Sequence, residues 1–354
     1  MTAIEAKLVR RIAATGPITL AEYMSLCLTD PEHGYYATRD PLGAAGDFIT
    51  APEISQMFGE LLGLCLAQAW LDRGAPDSVA LAELGPGRGT LMADMLRATK
   101  SVPGFHENLR VHLVETSPAL RAIQSETIVH DITHHDTVDT LPDAPLFLVA
   151  NEFFDALPVR QFQREGNRWR ERVIGLEGDK LTIGLADPMP PDHLAHRLGD
   201  TSDGDIVETS AMAAAIAALL GRHLASHGGV AVITDYGGWR SLGDTFQALR
   251  QHVTVDPLSA PGAADLTAHV DFEAIARAAH PALASPMIGQ GVLLERLGIT
   301  PRAQQLAENL QGTALESHIA AHRRLTHPEE MGTLFKAIAL YQPGTPPPPG
   351  FNAP

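Results

Sequence analysis

Val79-Ala80-Leu81-Ala82-Glu83-Leu84-Gly85-Pro86-Gly87-Arg88-Gly89-Thr90 is the stretch on which the reading of this chain turns. A short apolar run, broken only by Glu83, ends at once in glycines. With no polar alternation it suits a strand buried on both faces of a parallel sheet. Gly85, Gly87 and Gly89 keep side chains away from the strand end and allow a tight turn at positive φ. A helix is expected from Thr90, with its free N–H groups turned towards the same crevice. In open α/β sheets ligands bind there, outside the carboxyl ends of the strands. The spacing excludes two phosphate loops. A dinucleotide fingerprint needs glycine or alanine where Thr90 stands, and no Gly-Lys-Ser/Thr follows to make a P-loop.

Working downstream, residues 111–115 and 146–150 read as further buried strands, 128–129 as a weak one, and 90–99 and 118–125 as helices between them. This alternation predicts right-handed crossovers and a parallel sheet covered on both faces. Residues 159–163 and 168–173 alternate around Glu165-Gly166-Asn167, a hairpin signal that marks an antiparallel insertion. An Ala-rich helix over 209–226 leads to a fifth parallel strand over 229–235. Upstream, residues 3–29 read as two helices broken at Gly16-Pro17, with Thr19 and Glu22 as a capping box. Residues 30–53 read as an ordered loop and 54–72 as a helix with Phe58, Leu61, Leu62, Cys65, Leu66 and Ala69 on one stripe. The expected organisation is an N-terminal segment (1–75), a Rossmann-like core (76–158 with 205–240), an insertion (159–204), a C-terminal part completing the sheet (241–342) and an extended, poorly ordered Pro-rich tail (343–354).

The 354 residues are 45% hydrophobic and 19% charged, ordinary globular usage. A formal net charge of -16 opposes binding to nucleic acid or to an anionic membrane. The only two cysteines, Cys27 and Cys65, sit in apolar surroundings and read as core residues rather than a disulfide framework or a zinc site. There is no apolar run of transmembrane length and no signal-peptide core, so a cytoplasmic setting is expected.

Gly-x-Gly-x-Gly preceded by an acid is the form in which methyltransferases bind S-adenosylmethionine (SAM), so Glu83, Gly85, Pro86, Gly87 and Gly89 are candidate cofactor contacts. A purely structural glycine turn explains that loop equally well. Glu115, in Val114-Glu115-Thr116-Ser117-Pro118, breaks the tie. A carboxylate at the second strand end accepts hydrogen bonds from both ribose hydroxyls, with Thr116 beside it. Asp131, read as following the third strand, is the candidate for the adenine amino group. Asn151-Glu152-Phe153-Phe154-Asp155-Ala156-Leu157-Pro158 follows the fourth strand. Asn151 is a candidate cofactor contact there. Glu152 and Asp155 are candidate catalytic carboxylates, suited to holding a cationic acceptor and helping remove its proton. A helix cap with acids in its first turn explains Asp155 but not two phenylalanines between acids. Asp47 reads on its own as an Asx-turn residue. His269 and Asp271 either line an acceptor or bond within a turn. His134-His135-Asp136 has no third ligand nearby and reads as a solvated loop, so no metal is expected.

The ordered set of Tyr23-Met24, Pro31-Glu32-His33-Gly34-Tyr35-Tyr36, Gly46-Asp47-Phe48-Ile49-Thr50-Ala51-Pro52-Glu53, the glycine loop, the 151–158 stretch, Asp235-Tyr236-Gly237 and Asp265-Leu266-Thr267-Ala268-His269-Val270-Asp271-Phe272 covers nearly the whole chain. It resembles the MidA-type SAM-dependent methyltransferases of bacteria and mitochondria. That resemblance implies the class I methyltransferase fold: α/β, Rossmann-like, a mostly parallel seven-stranded sheet, with an N-terminal helical segment and an antiparallel insertion. It implies protein arginine N-methylation linked to respiratory complex I assembly or its bacterial counterpart, with a complex I subunit as one candidate acceptor. It also makes Asp47 a third candidate catalytic carboxylate. Nothing in composition or spacing points to arginine. A non-catalytic assembly scaffold and a small-molecule methyltransferase are the rival readings. A homodimer is compatible with the apolar surface expected on 54–72 and in the C-terminal part.

Overall fold

The computed structural model describes residues 2–38, 50–190, 192–251 and 253–354. These fall into two units by contact, one drawing on 2–38, 155–213 and 240–271, the other on 50–154, 214–239 and 272–354.

The second unit is built on a sheet whose central strands are β1 (Val79–Leu84), β2 (Leu109–Val114), β3 (Ile132–His135), β4 (Leu146–Asn151) and β5 (Gly229–Gly238). Two short strands, β6 (Leu283–Ala284) and β7 (Ile288–Gly289), and the long β8 (Phe335–Tyr341) follow. Every residue of β1 and β4 is buried, as an uninterrupted apolar run in a doubly covered sheet requires. The order is β3-β2-β1-β4-β5-β8, with β6 and β7 pairing with the far edge of β8. The first five strands are mutually parallel and β8 runs antiparallel to β5. The chain steps outward from β1 through β2 to β3, then crosses to β4 on the other side of β1. Strand order therefore reverses at β1, whose carboxyl end carries the glycine loop.

Helix α1 (Gln56–Asp72) packs on α2 (Thr90–Thr99), and α3 (Pro118–Thr127) joins β2 to the approach to β3. Phe58, Leu62, Leu66 and Trp70 of α1 meet Met92 and Met95 of α2 and Leu81, Val111, Phe147 and Val149 of the sheet in one core. Most of α1 is buried in this way, with Leu64 and Leu71 left exposed on its outer side. Glu60 of α1 is buried and bound by Arg97 (2.6 Å) and Arg302 (2.7 Å).

In the first unit two helices, Ala3–Thr15 and Leu20–Thr29, each open with a capping box, Thr2 with Glu5 and Thr19 with Glu22. The hairpin expected around Gly166 is present: Arg160–Glu165 pairs antiparallel with Arg168–Glu177. Ile18–Thr19, Lys180–Leu185 and Ile206–Thr209 extend that sheet. The N-terminal helices and the insertion, expected as separate segments, thus share one unit. Their common core includes Ile4, Leu8, Tyr23, Met24, Cys27, Val159 and Ile174.

Three local expectations change. The third strand is Ile132–His135 rather than 128–129: the Ile128 N–H closes α3 on the Gln124 carbonyl, and Val129 is 95% exposed. His134 and His135 therefore lie in a strand, not a solvated loop, with His135 hydrogen-bonded to His112 at 2.9 Å. The Pro-rich tail is tied down rather than loose. Backbone carbonyls of the tail take donors from the rest of the unit: Pro346 from Arg73 (2.9 Å), Pro349 from the Cys65 thiol (3.3 Å) and Gly350 from Arg296 (2.9 Å), and Phe351 is buried. Among the described residues no helix is long and apolar enough to cross a membrane.

Candidate active site

The loop after β1 has Gly85 at φ +61°, Gly87 at φ +53° and Gly89 at φ +83°. Closeness adds to the conformational demand. A Cβ on Gly85 would stand 2.8 Å from the Phe153 ring, and one on Gly89 2.9 Å from Ile128 Cδ1. The Gly89 N–H closes the turn on the Pro86 carbonyl at 2.7 Å, and α2 begins at Thr90. The Thr90 hydroxyl donates to Glu53 at 2.6 Å, fixing the start of α2 against the short helix Ala51–Ile54.

Glu83 lies beneath this loop, wholly buried. Burial pushes its carboxyl up to about 8, against one hydrogen bond from the Met92 backbone. Its Oε2 has no hydrogen-bond partner among the described residues. A buried acceptor left in that state costs free energy that a ligand donor or positive charge recovers. SAM, with a sulfonium and an amino group, supplies both, and the loop leaves side-chain-free backbone for the rest. The residues present fit that cofactor.

Glu115 stands just past β2. Burial raises its carboxyl, offset in part by the Ser117 and Thr116 backbone N–H groups, the first at 2.7 Å to Oε1, and by Gln124. Gln124 Nε2 donates to the Gly87 carbonyl at 2.7 Å and lies 3.4 Å from Glu115 Oε2. One side chain thus touches both the loop and the acid, which converge as expected. Thr116 is exposed beside them. Asp131 does not join them. It precedes β3 instead of following it, at the amino end of a strand parallel to β2, and is exposed. The acid that follows β3 is Asp136, paired with Arg121 at 2.5 Å. The misplacement follows from locating the strand four residues early.

At the end of β4, Asn151 accepts the Thr234 hydroxyl at 2.7 Å and donates to Glu152 Oε1 at 3.1 Å. Glu152 adopts φ +50°, a left-handed conformation that costs a non-glycine residue on the order of 1 kcal/mol. Its N–H bonds the Thr234 carbonyl (2.9 Å), and its carboxylate receives the Ala51 N–H (3.0 Å). Asp235, buried, accepts the Phe153 and Phe154 N–H groups at 3.2 and 3.0 Å. These bonds over-determine the turn and place the Phe153 ring against Gly85. That accounts for an aromatic next to the acid, which a simple helix cap does not. Gln124 and Thr234 read in the sequence as ordinary polar positions, and Glu53 and Asp235 carry no role there beyond their place in the family motifs.

Asp155 belongs to the first unit, where it is buried and its backbone carbonyl receives the Ala268 N–H at 3.0 Å. Tyr36 donates to Asp265 at 2.7 Å. Burial first, then the Asp265 and Asp155 charges, holds its hydroxyl well above the usual tyrosine range. The His269 N–H bonds Thr245, and Asp271 accepts the Ser241 N–H. Asp47 lies outside the described residues.

A family model described as "Putative S-adenosyl-L-methionine-dependent methyltransferase" matches residues 61–287. The human "Protein arginine methyltransferase NDUFAF7, mitochondrial" is 37% identical over 363 residues, spanning 94% of this chain and 82% of the relative. The Drosophila melanogaster homologue is 35% identical over 363 residues, spanning 94% and 83%. A crystal structure of a "likely methyl transferase from Burkholderia thailandensis bound to S-adenosyl-homocysteine" superposes with a TM-score of 0.83 at 28% identity, covering 96% of this chain and 92% of that one. A native crystal structure of a Burkholderia thailandensis protein gives 0.80 at 29% identity, covering 96% and 91%. The chain belongs to the MidA-type SAM-dependent methyltransferases, with the class I fold and SAM as its cofactor.

Proposed function

We propose that this methyltransferase acts on the guanidinium of an arginine side chain in a protein, with a respiratory complex I subunit the candidate acceptor that the family resemblance supplies. The observation that carries the arginine assignment is 35–37% identity over 94% of the chain to relatives named protein arginine methyltransferases. SAM supplies a methyl already activated on a sulfonium. The protein's work is to hold it, align the acceptor and exclude water. Backbone at 85–89 would leave room for the cofactor, Glu115 would accept from its ribose, Glu83 would meet its positive charge with the unpartnered oxygen, and Asn151, held by Thr234, lines the β4 end. A guanidinium is protonated and delocalised, so it needs carboxylates that localise its charge away from the attacking nitrogen. Asp155, Glu152 and Asp47 are proposed for that role. Because the Glu152 carboxylate already receives the Ala51 N–H, its share is to position the turn, and Asp155 is the first candidate for acceptor contact.

The test is transfer from methyl-labelled SAM into a cell extract, split into protein and small-molecule fractions, with the labelled protein hydrolysed to amino acids. Label in methylarginine supports the proposal. Label confined to small molecules, or to another residue type, overturns it, and no transfer with intact SAM binding favours a scaffold.

A further inference from the structure

Gln124 of α3 is fully buried, yet its primary amide is used at every polar atom. Nε2 serves the Gly87 carbonyl and faces Glu115, and Oε1 lies 2.9 Å from His134 Nε2 on β3. A carbonyl only accepts, so the amide nitrogen must face Gly87 and the amide oxygen must face His134. It follows that His134 Nε2 carries the hydrogen. The amide cannot flip without setting its oxygen against the Gly87 carbonyl and the Glu115 carboxylate, both of which only accept.

What it holds matters for the loop. The peptide after Gly87 is planar, so drawing its carbonyl towards α3 turns the Arg88 N–H to the opposite side. A Cβ on Gly89 would stand 3.5 Å from Gln124 Cα, so helix and loop are in contact at this point. We propose that Gln124 is the positioning residue of the cofactor site: one side chain sets the orientation of the Gly87 peptide and of the Glu115 carboxylate together, and His134 anchors its amide oxygen from the other side. The inference rests on assigning 85–89 and Glu115 to SAM. A buried glutamine with a merely structural role would affect folding but not the ligand.

The test is calorimetric titration of S-adenosyl-homocysteine into folded variants, alongside melting of the ligand-free protein. Gln124→Met keeps the volume and loses every hydrogen bond. It is expected to bind about ten-fold more weakly, beyond any loss of stability. Gln124→Glu sets a carboxylate against Glu115 and is expected to lose about a hundred-fold at neutral pH. Its affinity should recover on acidification as the new carboxyl becomes a donor again, a trend absent in the wild type. His134→Leu leaves the loop untouched and serves if the Gln124 variants do not fold, with about three-fold weaker binding expected. Affinity within about two-fold of wild type in Gln124→Met or, failing its folding, in His134→Leu overturns the inference. Gly87→Val and Glu115→Ala, run in parallel, separate the two layers. If they lose affinity while Gln124 variants keep it, only the role of Gln124 falls. If all keep it, the site assignment falls as well.

Discussion

Replacing Glu83 by Gln isolates what a buried, under-bonded carboxyl costs this fold. In the unfolded chain the group titrates near 4.5, and in the folded protein burial moves it to about 8. Below pH 4.5 both states hold the proton and the full stability is present. Between 4.5 and about 8 the unfolded chain releases its proton while the folded one keeps it, so stability falls as pH rises. Above about 8 both are ionised and the loss is complete. At about 1.4 kcal/mol per pKa step, the span from 4.5 to about 8 sets a ceiling near 5 kcal/mol on this contribution. Gln is neutral throughout and lacks that slope. Urea unfolding of both proteins from pH 4.5 to 8.5 should therefore show Glu83→Gln gaining on wild type steadily across the window, by at least about 2 kcal/mol at the top. Parallel pH profiles would refute the reasoning. The same carboxyl links stability to ligand. A sulfonium favours the ionised form, so wild-type affinity for SAM should rise towards pH 8 more than affinity for S-adenosyl-homocysteine, and Glu83→Gln should remove that difference.

Gly87→Val forces a β-branched residue into φ +53° and puts a side chain into the loop, so SAM affinity should drop by about a hundred-fold or more in calorimetry. Asp155→Ala should keep SAM affinity within about two-fold and abolish transfer to protein, and full turnover would remove it as a catalytic candidate. Glu60→Ala removes the buried carboxylate shared by Arg97 and Arg302, leaving Arg97 with Asp94 and Arg302 with Gln305, and should cost about 2 kcal/mol in urea unfolding at pH 7. Burial raises the Glu60 carboxyl, but the Arg302 and Arg97 bonds outweigh it and hold the group below its ordinary value. Its contribution is thus present at neutral pH and lost as pH falls below 4.5, opposite in sign to that of Glu83.

The parts of this molecule that were legible in sequence are those whose cause is local. Val79–Leu84 is a strand because a six-residue apolar run needs cover on both faces, and its burial pattern shows that it has it. Thr19 and Glu22 form a capping box because the two partners are three residues apart. The glycine loop declares its geometry through what it lacks. Where the cause is distant, the sequence misleads. Ile128-Val129 looks more like a strand than Ile132-Thr133-His134-His135, because nothing near the histidines announces that His112 and Gln124 satisfy them. Asp131 consequently lies at the amino end of β3, the opposite end from Glu115 at the carboxyl end of β2.

The same asymmetry separates the acids of the site from the groups that support them. Glu83, Glu115, Glu152 and Asp155 sit at strand ends or beside glycines, positions that advertise function. The geometry of Glu115 and of the turn at Asn151–Phe154 depends on Gln124, Thr234, Asp235 and the Ala51 N–H, which lie 9, 83, 82 or 81, and 101 positions from the groups they hold. A polar side chain on a helix such as α3 ordinarily faces water, and only the fold reveals that residue 124 points inward with its donors and acceptor committed. Such residues tolerate few replacements, because each change leaves a buried partner unsatisfied on another element. A site of this kind is therefore set less by the side chains that meet the ligand than by the buried amides and carboxylates that stop those side chains and loop peptides from turning away.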